Sequence, residues 1–158
     1  MRAVYPTGVR FLGVDYGQRR IGLAWSDDSA TLARPWQMVP ARETPVASAD
    51  AVADALARWQ QSEDGEVGGI VVGLPRRLNG EDNEQTAPAR AFAAALEART
   101  GLPIVLQDER LSSHEAESRL AGRERDWRKR KAQLDAMAAA VILQDYLDAR
   151  PRTSSSAD

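Results

Sequence analysis

Apolar side chains recur at every second residue in two runs near the start of the chain. Leu12 and Val14 alternate with small or polar neighbours, and Ile21, Leu23 and Trp25 repeat the pattern. A period of two marks a half-buried strand. The runs predict strands over 9–15 and 20–27, joined by a turn at Gly17, which tolerates backbone that other residues resist. Residues 33–39 predict a third strand. The period then changes. Val46, Ala49, Val52, Ala53, Leu56 and Trp59 fall at helical spacing across 45–61. Ile70-Val71-Val72 predicts a short buried strand and Asn79-Gly80 a turn. A helix over 86–99 is stopped by Gly101, and 103–107 predicts the last strand. Ser112-Ser113 predict the cap of a helix over 114–120, and 131–149 the final helix.

The predicted order is β-β-β-α-β-α-β-α-α. Three leading antiparallel strands followed by parallel βαβ units give an α/β fold, a mixed five-stranded sheet with helices on both faces. Residues 1–150 are expected to form one domain, and the Ser-rich stretch 151–158 a disordered tail. Trp36 and Trp59 are expected in the core.

Sites in such sheets gather at the carboxyl ends of parallel strands. Asp15 stands at one strand end and Asp108-Glu109-Arg110 at another. A carboxylate ending a buried strand needs compensation, from turn hydrogen bonds or from a cation. Asp135 is the only charge in the first apolar turns of the last helix. It reads either as an acid near a helix N-terminus, with Lys131 in ion-pair reach, or as a ligand offered to the sheet. Asp15, Glu109 and Asp135 together would form an acidic trio suited to phosphodiester hydrolysis with divalent metal. Glu109 is preferred to Asp108 because adjacent strand residues face opposite sides. Asp27 and Asp28 read as loop acids.

Composition narrows the chemistry. With no Cys and one His, a thiolate site and a His-rich site are excluded, so a metal would be held by oxygen ligands, as Mg²⁺ or Mn²⁺ is. The absence of Cys also fits a reducing compartment. Residues 1–8 lack the apolar core of a signal peptide, and the longest apolar run is too short for a membrane span, so a cytoplasmic protein is expected. Net charge is only −2, but cations cluster at Arg19-Arg20, at Arg76-Arg77 and along 123–131, which includes Arg128, Lys129, Arg130 and Lys131. Such clusters are either solvated surface or phosphate contacts.

Four motifs are joined in this chain. They are Gly13-Val14-Asp15-Tyr16-Gly17 with Arg20-Ile21-Gly22-Leu23-Ala24, and Val71-Val72-Gly73-Leu74-Pro75 with Asn79-Gly80. The others are Asp108-Glu109-Arg110-Leu111-Ser112-Ser113 with Ala116, and Lys131, Asp135, Ala138-Ala139 and Ile142-Leu143-Gln144. Together they resemble the YqgF family, also called RuvX, of Holliday junction resolvases, which are similar to RuvC and have been assigned to maturation of the small-subunit ribosomal RNA precursor. The resemblance implies an RNase H-like fold and a Mg²⁺- or Mn²⁺-dependent endonuclease for structured nucleic acid. It carries the acidic roles onto Asp15, Glu109 and Asp135, and gives Arg110 either a phosphate or an ion pair. Arg76-Arg77 depart from the family's less basic pattern. Two other readings stand beside this one: a ribosome-assembly module that binds without cutting, and an actin-like ATP phosphotransferase, for which 158 residues offer only one lobe. A monomer or weak homodimer is expected.

Overall fold

A computed structural model describes residues 9–63, 65–108 and 127–150 of the protein, with side chains from residue 132 onward in the last stretch. The described elements are β1 (Val9–Tyr16), β2 (Arg20–Ser26), β3 (Ala33–Pro40), α1 (Pro45–Ser62), β4 (Glu66–Leu74), α2 (Thr86–Thr100), β5 (Ile104–Asp108) and α3 (Trp127–Ala149). The expected helix over 114–120, the expected tail and Trp127's side chain lie outside the described residues.

The strands form one sheet in the order β3-β2-β1-β4-β5. β1, β2 and β3 pair antiparallel, while β4 and β5 join parallel to β1 and to each other. This is the expected mixed sheet, with β1 at its centre.

Alternation along the strands divides the core. Leu12, Val14, Ile21, Leu23, Ile70 and Val72 face α1 and α2, where Val52, Leu56, Phe92 and Leu96 cover them. Phe11, Ala24 and Val71 face the other way, against Ala139, Ile142 and Leu143 of α3. Fully burying a side chain such as Ile142 or Leu143 stabilises by about 1.5–3 kcal/mol relative to exposure. Trp25 anchors the first face, stacked on Trp59 at 4.2 Å and tilted against Trp36 at 5.4 Å between ring centroids. Both outer tryptophans are half-buried against that core, close to expectation.

Local signals set the helix ends. Thr44 caps α1 by accepting a hydrogen bond from Ala47 N at 3.0 Å, just before Pro45. Gly101 ends α2 in the left-handed region at φ 73°, its N–H donating to Glu97 O at 2.8 Å.

Two elements outrun their sequence signals. β4 runs through Gly68-Gly69, which read as a boundary. A Cβ at Gly68 would lie 2.7 Å from a methyl of Val9, and one at Gly69 3.2 Å from Pro103 O. These glycines serve close strand contact, so they do not end the strand. α3 starts at Trp127, four residues before the predicted Lys131. Asp135 is therefore more than two turns inside the helix, beyond the reach of the helix dipole, and the reading of it as an N-terminal acid is corrected.

Candidate active site

β1 ends in Asp15-Tyr16, and these neighbours point to opposite faces. Tyr16 stacks on Phe92 of α2 at 4.5 Å. Asp15 takes the parity of Phe11 and Gly13, the α3 side. Across the hairpin Asp15 pairs with Gly22.

Gly22 decides what stands over that pair. A Cβ there would lie 1.9 Å from the backbone oxygen of Asp135. Gly13 repeats the device two residues before Asp15, where a Cβ would meet Leu143 Cβ at 2.7 Å and Ala139 O at 2.9 Å. Two missing side chains let α3 settle onto the sheet, and the turn carrying Asp135 comes down over Gly22, the cross-strand neighbour of Asp15. Gln144 fastens the helix farther along, accepting from Ala33 N at 2.8 Å and donating to Thr31 O at 2.9 Å. Toward the β3 edge the packing loosens into a groove of about 430 Å³ between Pro35 and Met38 on one side and Ala136 and Met137 on the other.

Asp135 is paired with Arg20, the first residue of β2, whose Nε donates to Oδ2 at 2.6 Å. The sequence offered Lys131 for that place, but the side chain of Lys131 is outside the described residues. Both Arg20 and Gly22 hold the parity of the α3 side.

Asp108 pairs with Leu74, and Ile104 of the same parity packs against the α1–α2 core. Asp108 thus takes the face opposite Asp15. Glu109 and Arg110 lie outside the described residues, as do the side chains of Arg128, Lys129 and Arg130. Among the described residues no group of three His, Asp or Glu side chains is gathered for a metal ion.

Arg76 and Arg77 are engaged locally. Arg76 bridges to Asp82 across the β4–α2 loop, its Nε 3.7 Å from an Asp82 carboxylate oxygen that Arg90 also approaches at 3.7 Å. Arg77 Nε donates to Asp82 O at 3.3 Å. Partly exposed ion pairs of this kind contribute little to stability. Arg19 is exposed, and its carbonyl accepts from Ala41 N at 2.9 Å.

Asp27 is a turn acid, as expected. It accepts from Thr31 N at 2.7 Å, Leu32 N at 3.1 Å and Ser29 Oγ at 2.9 Å. Burial pushes its carboxyl up, but these hydrogen bonds outweigh burial and hold it below the usual value. Its contribution to stability is present above the unfolded pKa of about 3.9 and is lost as pH falls through the lower folded value. Thermal melts between about pH 5 and pH 2 should therefore fall more steeply for the native chain than for Asp27→Asn. Parallel curves would show that the turn contributes nothing through its charge.

Residues 9–149 match the family model of RuvX, described as Holliday junction resolvase. The chain belongs to the RuvX family. This is a nuclease family, and the RuvX-family chain is an enzyme. Two similar proteins bear the name "Putative pre-16S rRNA nuclease". One, from Anaeromyxobacter sp. (strain Fw109-5), is 46% identical over 142 residues, covering 90% of this chain and 98% of the relative. Another, from Pelotomaculum thermopropionicum, is 35% identical over 144 residues, covering 91% and 90%. Among solved structures, Thermus thermophilus RuvC in complex with a Holliday junction substrate superposes with a TM-score of 0.50 at 17% identity, covering 89% of this chain and 94% of that one. That likeness concerns the fold, the RNase H-like mixed sheet expected from the sequence. No described helix of the RuvX-family chain is long and apolar enough to cross a membrane.

Proposed function

We propose that this RuvX-family chain is a divalent-metal-dependent endonuclease acting on structured nucleic acid in the cytoplasm, built as one domain over residues 1–150. The observation that carries the reading is the backbone of Asp135 lying over Gly22, the cross-strand neighbour of Asp15, on the face of the sheet that Asp15 shares. Two oxygen-donor side chains on one face, that of Asp135 already paired to the Arg20 guanidinium, fit a hard cation. Asp15 and Asp135 would hold Mg²⁺ or Mn²⁺ together with Glu109. Glu109 is preferred because Asp108 takes the opposite face. Bound there, the metal would supply a water of lowered pKa and stabilise the leaving oxygen.

The chain's other residues bind and orient. Arg19, Arg76, Arg77, Arg110 and the run Arg128, Lys129, Arg130 and Lys131 would neutralise phosphates around the carboxylates. The substrate favoured by the names of the relatives is the precursor of small-subunit ribosomal RNA, and the family description adds the four-way DNA junction. One cut per event needs only a monomer, whereas paired cuts in a symmetric junction call for a two-fold pair of subunits.

The test is cleavage of precursor RNA and junction DNA side by side, with Mn²⁺ and with chelator. Cleavage that needs Mn²⁺ supports the reading. Tight binding with no cleavage in Mn²⁺ would select the assembly module, and ATP turnover the phosphotransferase. Affinity is expected to fall about 10³-fold between 50 and 200 mM salt, as roughly six phosphate contacts require. A flat salt response in a binding titration would remove the basic rim from the account.

A further inference from the structure

Arg20 stands where a cation belongs. Its guanidinium lies against Oδ2 of Asp135 at 2.6 Å, a short, charge-assisted contact. The two residues are 115 apart in the chain, so the contact is tertiary. The side chains are only 34% and 21% exposed, unlike a freely solvated surface pair. The turn after Asp15 fixes the root of this arginine. Gly17 N donates to Arg20 O at 3.1 Å, and a Cβ on Gly17 would collide with that same oxygen at 2.5 Å. One tight turn therefore carries Asp15 at its start and delivers Arg20 at its end, facing the carboxylate on α3.

We propose that Arg20 is a positioning residue that occupies the cation's place at Asp135 in the metal-free protein and yields the carboxylate when a divalent ion binds. This rests on the reading of Asp135 as a metal ligand. The lone pair that accepts from Nε is unavailable to a metal, and two cations at one carboxylate repel each other. Metal entry therefore shifts the guanidinium away from Oδ2. The arginine side chain is partly exposed, which leaves it room for that move. Without Arg20 or a metal, the Asp135 carboxylate would lose this guanidinium partner, and the docking of α3 would weaken. Once released, the guanidinium is a fork-shaped donor beside the site, suited to a phosphate oxygen of the substrate. Competition of this kind makes metal binding looser in the native chain than in a chain without the arginine.

The experiment measures Mn²⁺ binding by the full chain, from the electron-spin-resonance signal of free Mn²⁺, for the native protein, Arg20→Gln, Arg20→Lys, Asp135→Asn and the R20Q/D135N double variant. Removing Arg20 is expected to tighten Mn²⁺ binding by up to about fivefold, on the scale of a partly exposed ion pair. Arg20→Lys, which keeps the charge and loses the fork, should fall between. In the Asp135→Asn background the Gln change should have little effect. The metal-free R20Q variant should also melt below the native protein, with the gap closing as Mn²⁺ saturates. Equal or weaker Mn²⁺ binding by folded R20Q would overturn the competition and leave Arg20 a plain structural partner. Should R20Q fail to fold, R20K binding Mn²⁺ no tighter than the native chain overturns it in the same way. Native binding that Asp135→Asn leaves unchanged would instead sink the metal-ligand reading, and this proposal with it.

Discussion

Replacing Asp15 with Asn is expected to lower cleavage by about 10³-fold or more, the rate equivalent of the several kcal/mol of charge stabilisation a metal supplies. The fold should survive. Asp15 is partly buried at the end of β1 and belongs to none of the buried core clusters. Asn has nearly the same shape, so the pairing with Gly22 and the turn at Gly17 need not change. Substrate binding should also survive, because the phosphate contacts belong to the cations around the site. Single-turnover cleavage, a melting curve and a binding titration on the same preparation separate these outcomes. Native-rate cleavage by Asp15→Asn would show that Asp15 is only a turn residue. Lost binding together with lost cleavage would point to a general structural fault.

Gly22→Ala should do comparable damage by a different route. The added methyl falls 1.9 Å from Asp135 O and 2.4 Å from its carbonyl carbon. Both are backbone atoms, so no rotamer change relieves the overlap. Either β2 bends or α3 lifts, and in both cases Asp135 leaves its place over the hairpin. Overpacking of this kind costs about 1–3 kcal/mol, occasionally more. At about 2–4 °C per kcal/mol for a chain of this size, the upper end lowers the melting temperature by roughly 10 °C. Cleavage should fall with it, even below the new melting temperature. Gly101→Ala is the control. It adds the same methyl where nothing lies within 4 Å, at φ 73°. Only the left-handed backbone is strained there, at about 1–2 kcal/mol, and the site is remote in the fold's connections. Equal activity losses in the two variants would remove Gly22 from the account of how Asp135 is placed.

Much of the architecture was legible in order. The two-residue period of Leu12 and Val14, and of Ile21, Leu23 and Trp25, marks strands because a pleat turns alternate residues inward. The spacing through Val52 and Leu56 marks α1 for the parallel reason in a helix. Thr44, Pro45 and Gly101 act within a turn of their own position, and local chemistry of that kind can be read locally. Asp15 and Asp135 were also legible as unusual, being charges in apolar surroundings. Element lengths were less so. Gly68-Gly69 looked like a break, and their service to strand packing is visible only once Val9 and Pro103 lie against them. The start of α3 was hidden in Trp127–Lys131, a basic stretch with no apolar period to betray a helix.

The chain by itself determined the order of the described elements, the mixed sheet, the family resemblance and the acidic residues worth testing. These follow from patterns that span a few residues or from motifs read in series. Only the tertiary structure decided that Gly22 admits the backbone of Asp135, that Arg20 and not a helix terminus compensates that carboxylate, and that Asp108 takes the face away from Asp15. Each of these is a relation between elements far apart in sequence. A missing Cβ or a charge has the same local signature whatever it will meet, and the sheet and helix must assemble before its partner exists.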